Sequence, residues 1–114
     1  MITTGEPSGI GPDVLLAAAC KNWPVKIVGI GNRSMLLERS KKLRMDVSLL
    51  NYSTIDDDEP HVTGTLPLID LPLRQPVIPG VLNTANASFV LAQLDLAIEL
   101  CKTKEMMAMV TGPV

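Results

Sequence analysis

Ile2-Thr3-Thr4-Gly5-Glu6-Pro7-Ser8-Gly9-Ile10-Gly11-Pro12-Asp13, near the start of the chain, sets the fold. Met1–Thr4 is a short β-prone stub. Gly5 to Pro12 holds three glycines and two prolines, a density that regular structure does not tolerate. Pro12 suits the first turn of a helix, where its missing N–H has no partner to lose, and Asp13 puts negative charge near the helix's positive end. Val14 to Lys21 then reads as a helix rich in Leu and Ala, stopped near Pro24. A strand, a glycine-rich loop and a helix, in that order, begin a parallel βαβ unit.

The pattern repeats downstream. Val25-Lys26-Ile27-Val28-Gly29-Ile30 is a mostly apolar run, as expected of a strand buried on both faces. Gly31-Asn32 is the turn, and Asn32 is the expected N-cap of a helix from Arg33 to about Leu43. On that helix Met35, Leu36 and Leu43 face inward, while Arg33, Glu38, Arg39, Lys41 and Lys42 are expected in water. Val47–Leu50 is a third strand, Tyr52 to Gly64 a polar connector, and Thr65–Ile69 a short strand. Leu71–Pro79 carries three prolines and no helical period. Gly80 or Asn83 opens the longest helix, which ends near Lys102 and lines up Val90, Leu94, Ala97 and Cys101 on one face. Met106–Val110 is a last apolar strand, followed by Thr111-Gly112-Pro113-Val114.

Alternating strands and helices predict an α/β fold, a parallel or mixed sheet covered on both faces in three layers. The chain stops in the loop leaving a buried strand, where ligands bind in open α/β sheets. Residues 1–114 are therefore expected to be a fragment of a longer α/β protein.

Composition narrows the function classes. With 46% hydrophobic but only 3% aromatic residues, the core must be aliphatic. A net charge of −2 argues against nucleic acid as a partner, because phosphate neutralisation needs a basic face. No apolar run approaches the about 20 residues of a membrane span, and no signal peptide opens the chain, so a cytoplasmic protein is expected. Cys20 and Cys101 fall on helices among apolar neighbours and are expected to be buried thiols.

Two glycine-rich turns are candidate sites. In Gly5–Pro12 the glycines let the backbone turn sharply and approach a ligand, and the loop feeds a helix N-terminus. The Lys-Ser/Thr ending of a Walker loop is missing, and Glu6 and Asp13 would repel a pyrophosphate. These carboxylates suit ribose hydroxyls, a cation or a structural cap, and a tight βα turn accounts for the spacing equally well. The second turn, Gly29-Ile30-Gly31-Asn32-Arg33-Ser34, is a partial dinucleotide fingerprint. Ser34 replaces its third glycine and Asn51 stands where the ribose-binding acid belongs, so it reads as an ordinary βα turn. The acidic run Asp56–Glu59 lacks the ligand spacing of a calcium loop. His61, the single histidine, cannot build a multi-histidine metal site and is expected to be exposed. Thr111-Gly112-Pro113, after a buried strand, stands where a substrate loop belongs.

Taken together, the Ile2–Asp13 stretch and Val110-Thr111-Gly112-Pro113-Val114 resemble the 4-hydroxythreonine-4-phosphate dehydrogenase family, with its G-E-P-[AS]-G-I-G-P loop and a later [IV]-T-G-P-V segment. Trp23-Pro24-Val25, Gly64-Thr65-Leu66 and the helix before Met106 fall in family-like order. The resemblance covers all of this chain but only about the first third of a family member. It implies the isocitrate/isopropylmalate dehydrogenase-like fold, with Gly5, Glu6, Pro7, Ser8, Gly9, Ile10 and Gly11 on the NAD side of the cleft. It also implies oxidation and decarboxylation of a small phosphorylated hydroxy amino acid, 4-phosphooxy-threonine, on the route to pyridoxal phosphate. A divalent metal held by histidines and a homodimer with interfacial active sites complete the implied picture. Those metal histidines, and the family's substrate-binding and phosphate-binding residues, lie beyond Val114. The resemblance thus implies no catalytic residue and no metal ligand within residues 1–114, and the segment alone is expected to be inactive.

Overall fold

The computed structural model describes residues 1–52 and 59–114. Its strands are β1 (Ile2–Thr3), β2 (Gly29–Gly31), β3 (Ser48–Asn51), β4 (Thr65–Asp70) and β5 (Val110–Thr111). The helices are α1 (Gly11–Ala19), α2 (Arg33–Leu43) and α3 (Ala87–Lys102), the last preceded by a 3-10 turn at Thr84–Asn86. The strands form one sheet in the order β3-β4-β2-β1-β5, and every pairing is parallel. Of the parallel and mixed alternatives, the described residues form the parallel one.

Side-chain alternation shows how the sheet is covered. In β2 the glycines and the apolar residues point to opposite faces. A Cβ on Gly29 would meet Leu15 of α1 at 3.1 Å and Leu66 and Leu68 of β4 at 3.3 and 3.4 Å, so glycine leaves room there for the side chains of both neighbours. Leu15, Leu16 and Ala19 of α1, Met35 and Leu36 of α2, and Leu66 and Leu68 of β4 form the main buried cluster on this face. Val28 and Ile30 point the other way, and buried Phe89, Val90 and Ala97 of α3 lie outside that cluster. Because parallel crossovers are right-handed, α1 and α2, which carry the chain toward the β3 edge, lie on one face, and α3, which carries it back to β5, lies on the other.

Several boundaries differ from the sequence reading. Helix α1 begins at Gly11 rather than Val14, with Pro12 in its first turn, and ends at Ala19. The β2 ladder starts only at Gly29, where Ile2 on one side and Leu68 on the other come into register, although Ile27 and Val28 are already buried. The β5 ladder starts at Val110 opposite Ile2, leaving Met107 fully exposed instead of inside a strand. Asn32 caps α2 as expected, its side chain accepting from the Met35 N–H at 3.0 Å. Asn83 accepts from the Ala85 N–H at 3.0 Å and opens the 3-10 turn ahead of α3. Cys20 is exposed, not buried, because it caps α1 beyond the inward-facing Leu15, Leu16 and Ala19; Cys101 is half-buried. Of the acidic run, positions 56–58 lie outside the described residues and Glu59 is exposed.

Candidate functional site

The strand order reverses between β1 and β5. β1 leads through α1 to β2 on one side, and β5 arrives through α3 on the other, so the loops after β1 and β5 meet at the carboxyl end of the sheet. Such a switch point is where α/β proteins bind ligands. The two loops are stitched together: the Glu6 N–H donates to the Pro113 carbonyl at 2.8 Å and the Gly112 N–H to the Thr3 carbonyl at 3.0 Å. Gly5, at φ +69°, is the position where this approach demands glycine, since a Cβ there would lie 2.2 Å from the Pro113 oxygen. Gly11 answers to the same demand, its Cβ position lying 1.8 Å from the Thr4 oxygen. Both glycines are thus explained by backbone meeting backbone within the protein. Gly9 differs, because a Cβ there would touch only Glu6, the nearest atom at 3.4 Å.

Each carbonyl from Gly5 to Ile10 is held from within. Gly5 accepts from Gln93 Nε2 (3.0 Å), Glu6 from the Gly9 N–H (3.0 Å), Pro7 from Arg39 Nη2 (2.8 Å) and Ser8 from the Gly80 N–H (2.8 Å). Gly9 accepts from Arg39 Nη1 (3.1 Å) and Ile10 from the Val14 N–H (3.0 Å). Arg39, expected in water, is 6% exposed, and its guanidinium also pairs with Asp13 at 2.7 Å. Arg39 thus satisfies two loop carbonyls and a carboxylate at once, which a planar fork of donors can do and a lysine cannot. Asp13 is used as a structural partner rather than kept for a ligand.

Glu6 is presented differently. Its Oε1 accepts from the Ser8 N–H (3.1 Å) and the Ser8 hydroxyl (2.8 Å), which fixes the carboxylate over the loop. Oε2 makes no hydrogen bond among the described residues, and the residue is half-buried. An oriented carboxylate with one free acceptor oxygen can take the hydroxyls of a ribose. Ile10, later in the same loop, is 63% exposed.

The second glycine turn is closed by the protein itself. Asp70 Oδ1 accepts from the Arg33 N–H at 2.8 Å, and Asn32 accepts from Met35 while donating to the Leu71 carbonyl at 2.8 Å. Helix α2 thus meets a carboxylate of its own sheet where a pyrophosphate would dock. Asn51, noted in place of a ribose-binding acid, accepts from Arg33 Nη2 at 2.6 Å. His61, expected to be exposed, is half-buried with Nε2 2.8 Å from the Ala19 carbonyl. Among the described residues no cluster of His, Cys, Asp and Glu could hold a metal ion, and no helix is long and apolar enough to cross a membrane. Thr111 and Pro113 are exposed and Gly112 half-buried, beside the first loop; β5, expected to be a buried strand, is exposed at both residues because it stands at the edge of the sheet.

The sequence reading missed Gln93 and misplaced Arg39. Gln93 falls in step with Val90 and Ala97 on the inward face of α3, and Arg39 lies four positions after Met35 on α2. A polar residue inside an apolar stripe was the available signal in each case.

The family model of the pyridoxal phosphate biosynthetic protein PdxA matches residues 23–114. A 4-hydroxythreonine-4-phosphate dehydrogenase from Colwellia psychrerythraea is 40% identical over 113 residues, covering 99% of this chain and 35% of the relative. The enzyme of that name from Vibrio cholerae is 40% identical over 114 residues, covering 100% and 34%. A crystal structure of a 4-hydroxythreonine-4-phosphate dehydrogenase from Burkholderia phymatum superposes with a TM-score of 0.85 at 20% identity, covering 98% of this chain and 35% of that one, a likeness of fold alone. The chain spans about a third of the length of these relatives. Matched over most of its length by the family model and over nearly all of it by such relatives, this chain belongs to the PdxA family.

Proposed function

We propose that residues 1–114 form part of the first lobe of an NAD-dependent 4-hydroxythreonine-4-phosphate dehydrogenase and supply its cofactor-side loop. The enzyme oxidises the secondary alcohol of 4-phosphooxy-threonine, and decarboxylation follows, on the route to pyridoxal phosphate. The observation that carries the reading is the Glu6 carboxylate, fixed by Ser8 at the β1/β5 switch point with one oxygen free. In this reading Gly5–Gly11 line the NAD side, Glu6 accepts ribose hydroxyls, and Thr111, Gly112 and Pro113 border the substrate. NAD, when bound, accepts the hydride; the chain's own residues position the cofactor and keep the loop from collapsing into its site. Among the described residues no group of His, Cys, Asp and Glu fits a divalent metal, whose ligands are expected elsewhere in the enzyme.

The complete enzyme is taken to be a cytoplasmic homodimer. Given 4-phosphooxy-threonine, NAD and a divalent metal, it should form NADH; absence of turnover in a folded, metal-loaded enzyme rejects the assignment. The 114-residue chain alone should give none. A panel of other hydroxy acids tests the nearest competitor, a dehydrogenase of the same fold with another substrate. A nucleotide module built on Gly29–Ser34 is disfavoured by Asp70 and Asn32, which occupy the start of α2.

A further inference from the structure

We propose that Gln93, on α3, is the positioning residue that sets the conformation of the Gly5–Gly11 loop and thereby the affinity for NAD. The inference rests on the NAD reading above. Gln93 is fully buried and turns both polar atoms of its amide onto Thr4 and Gly5, just past the end of β1. Its Oε1 accepts from the Thr4 N–H (2.8 Å), the Thr4 hydroxyl (2.9 Å) and the Gly5 N–H (3.2 Å), while Nε2 donates to the Gly5 carbonyl (3.0 Å). Three donors demand the oxygen and a carbonyl demands the nitrogen, so the surroundings fix which way the amide points.

The side chain grips both backbone groups of Gly5, as a neighbouring strand would. It does so at the residue whose left-handed backbone, φ +69°, turns the chain out of the sheet immediately before Glu6. An apolar side chain of the same length would fill this space in the α3 core but could not dictate that turn. Buried polar groups that are fully satisfied rigidify and specify one arrangement. What Gln93 specifies is the entry of the chain into the loop that carries Glu6. It acts through the backbone and is not placed to touch the cofactor.

In the complete enzyme, Gln93→Met keeps the length and removes every polar atom. Gln93→Glu keeps the acceptor and sets a second oxygen against the Gly5 carbonyl. Each variant should raise the KM for NAD about tenfold or more, with kcat and the KM of the phosphorylated substrate changed less than about threefold, the pattern of lost uniform binding. Hydrogen exchange should show lost protection at the Gly5 and Glu6 amides while α3 stays protected. A purely structural role would lower the melting temperature and leave the KM for NAD of the folded enzyme unchanged, and that result overturns the proposal. If Gln93→Met does not fold, Gln93→Glu and the shorter amide Gln93→Asn decide by the same two measurements. If the parent enzyme reduces no NAD, the NAD reading fails separately; exchange at Gly5 and Glu6 then decides, and unchanged protection in the variants overturns the role of Gln93.

Discussion

Two glycine-rich turns leave neighbouring parallel strands of one sheet, yet they place their carboxylates differently: Glu6 stands within its loop, whereas Asp70 caps the helix that follows the other. After β1, distant side chains hold the loop by its carbonyls, and the Glu6 carboxylate is left with a free oxygen. After β2, side chains fill the helix start itself: Asn32 from beside it and Asp70 from 37 positions along the chain occupy its first amides. The difference teaches that glycine content does not distinguish a binding loop from a structural turn. What distinguishes them is which groups the rest of the protein has already used.

The contrast can be broken experimentally, and the largest effect belongs to Gly11→Ala. The new methyl would collide with the Thr4 carbonyl, so the variant should lose about 3 kcal/mol or more, seen as a lowered urea midpoint. A near-native midpoint would mean that the loop yields easily and is not held as described. Arg39→Met comes next. It strands the Pro7 and Gly9 carbonyls and leaves Asp13 unpaired, but the Asp13 side chain is 35% exposed and water recovers part of the loss. About 2 kcal/mol is expected, between the values for surface and buried pairs, with a raised KM for NAD in the complete enzyme.

Asn32→Ala sharpens the comparison from the other side. Removing this cap should cost about 1 kcal/mol and leave the KM for NAD unchanged, because the second turn takes no part in binding. A raised KM there would restore the second turn as a cofactor site. Gly9→Ala should be the mildest for stability, within about 0.5 kcal/mol by thermal melting. Any rise in its KM for NAD would then report a ligand passing close to Gly9, since the fold itself leaves room for the methyl.

Elements with local signals were legible in the sequence. Helix α2 runs over Arg33–Leu43 as read, because its cap, Asn32, lies beside it in the chain. The strand ends were not, because a ladder exists only where a partner runs alongside, and the partners of β2 and β5 are set by the register of Ile2. Gly5–Pro12 was legible as a loop at a strand end, but not the means by which it is held. Arg39 reaches a carbonyl 30 positions away and Gln93 one 88 positions away. Backbone carbonyls have no sequence identity, so a polar residue that seeks one reads by helical period as a side chain facing water or as a flaw in an apolar stripe.

The pairing of β1 with β5 has a consequence for the order of assembly. Gly112 reaches back to the Thr3 side chain across 109 positions, so the stretch around Thr3 gains this neighbour only after the chain up to Gly112 has been made. Contacts between such distant stretches are slow to form, because the chain loses much of its freedom before they stabilise it. Met1–Ile10 would therefore wait, unsatisfied on one side, while α1, α2 and the β2–β4 core collect beside it. The candidate binding loop is then the last part of the segment to take shape, although it is translated ahead of the strand it waits for.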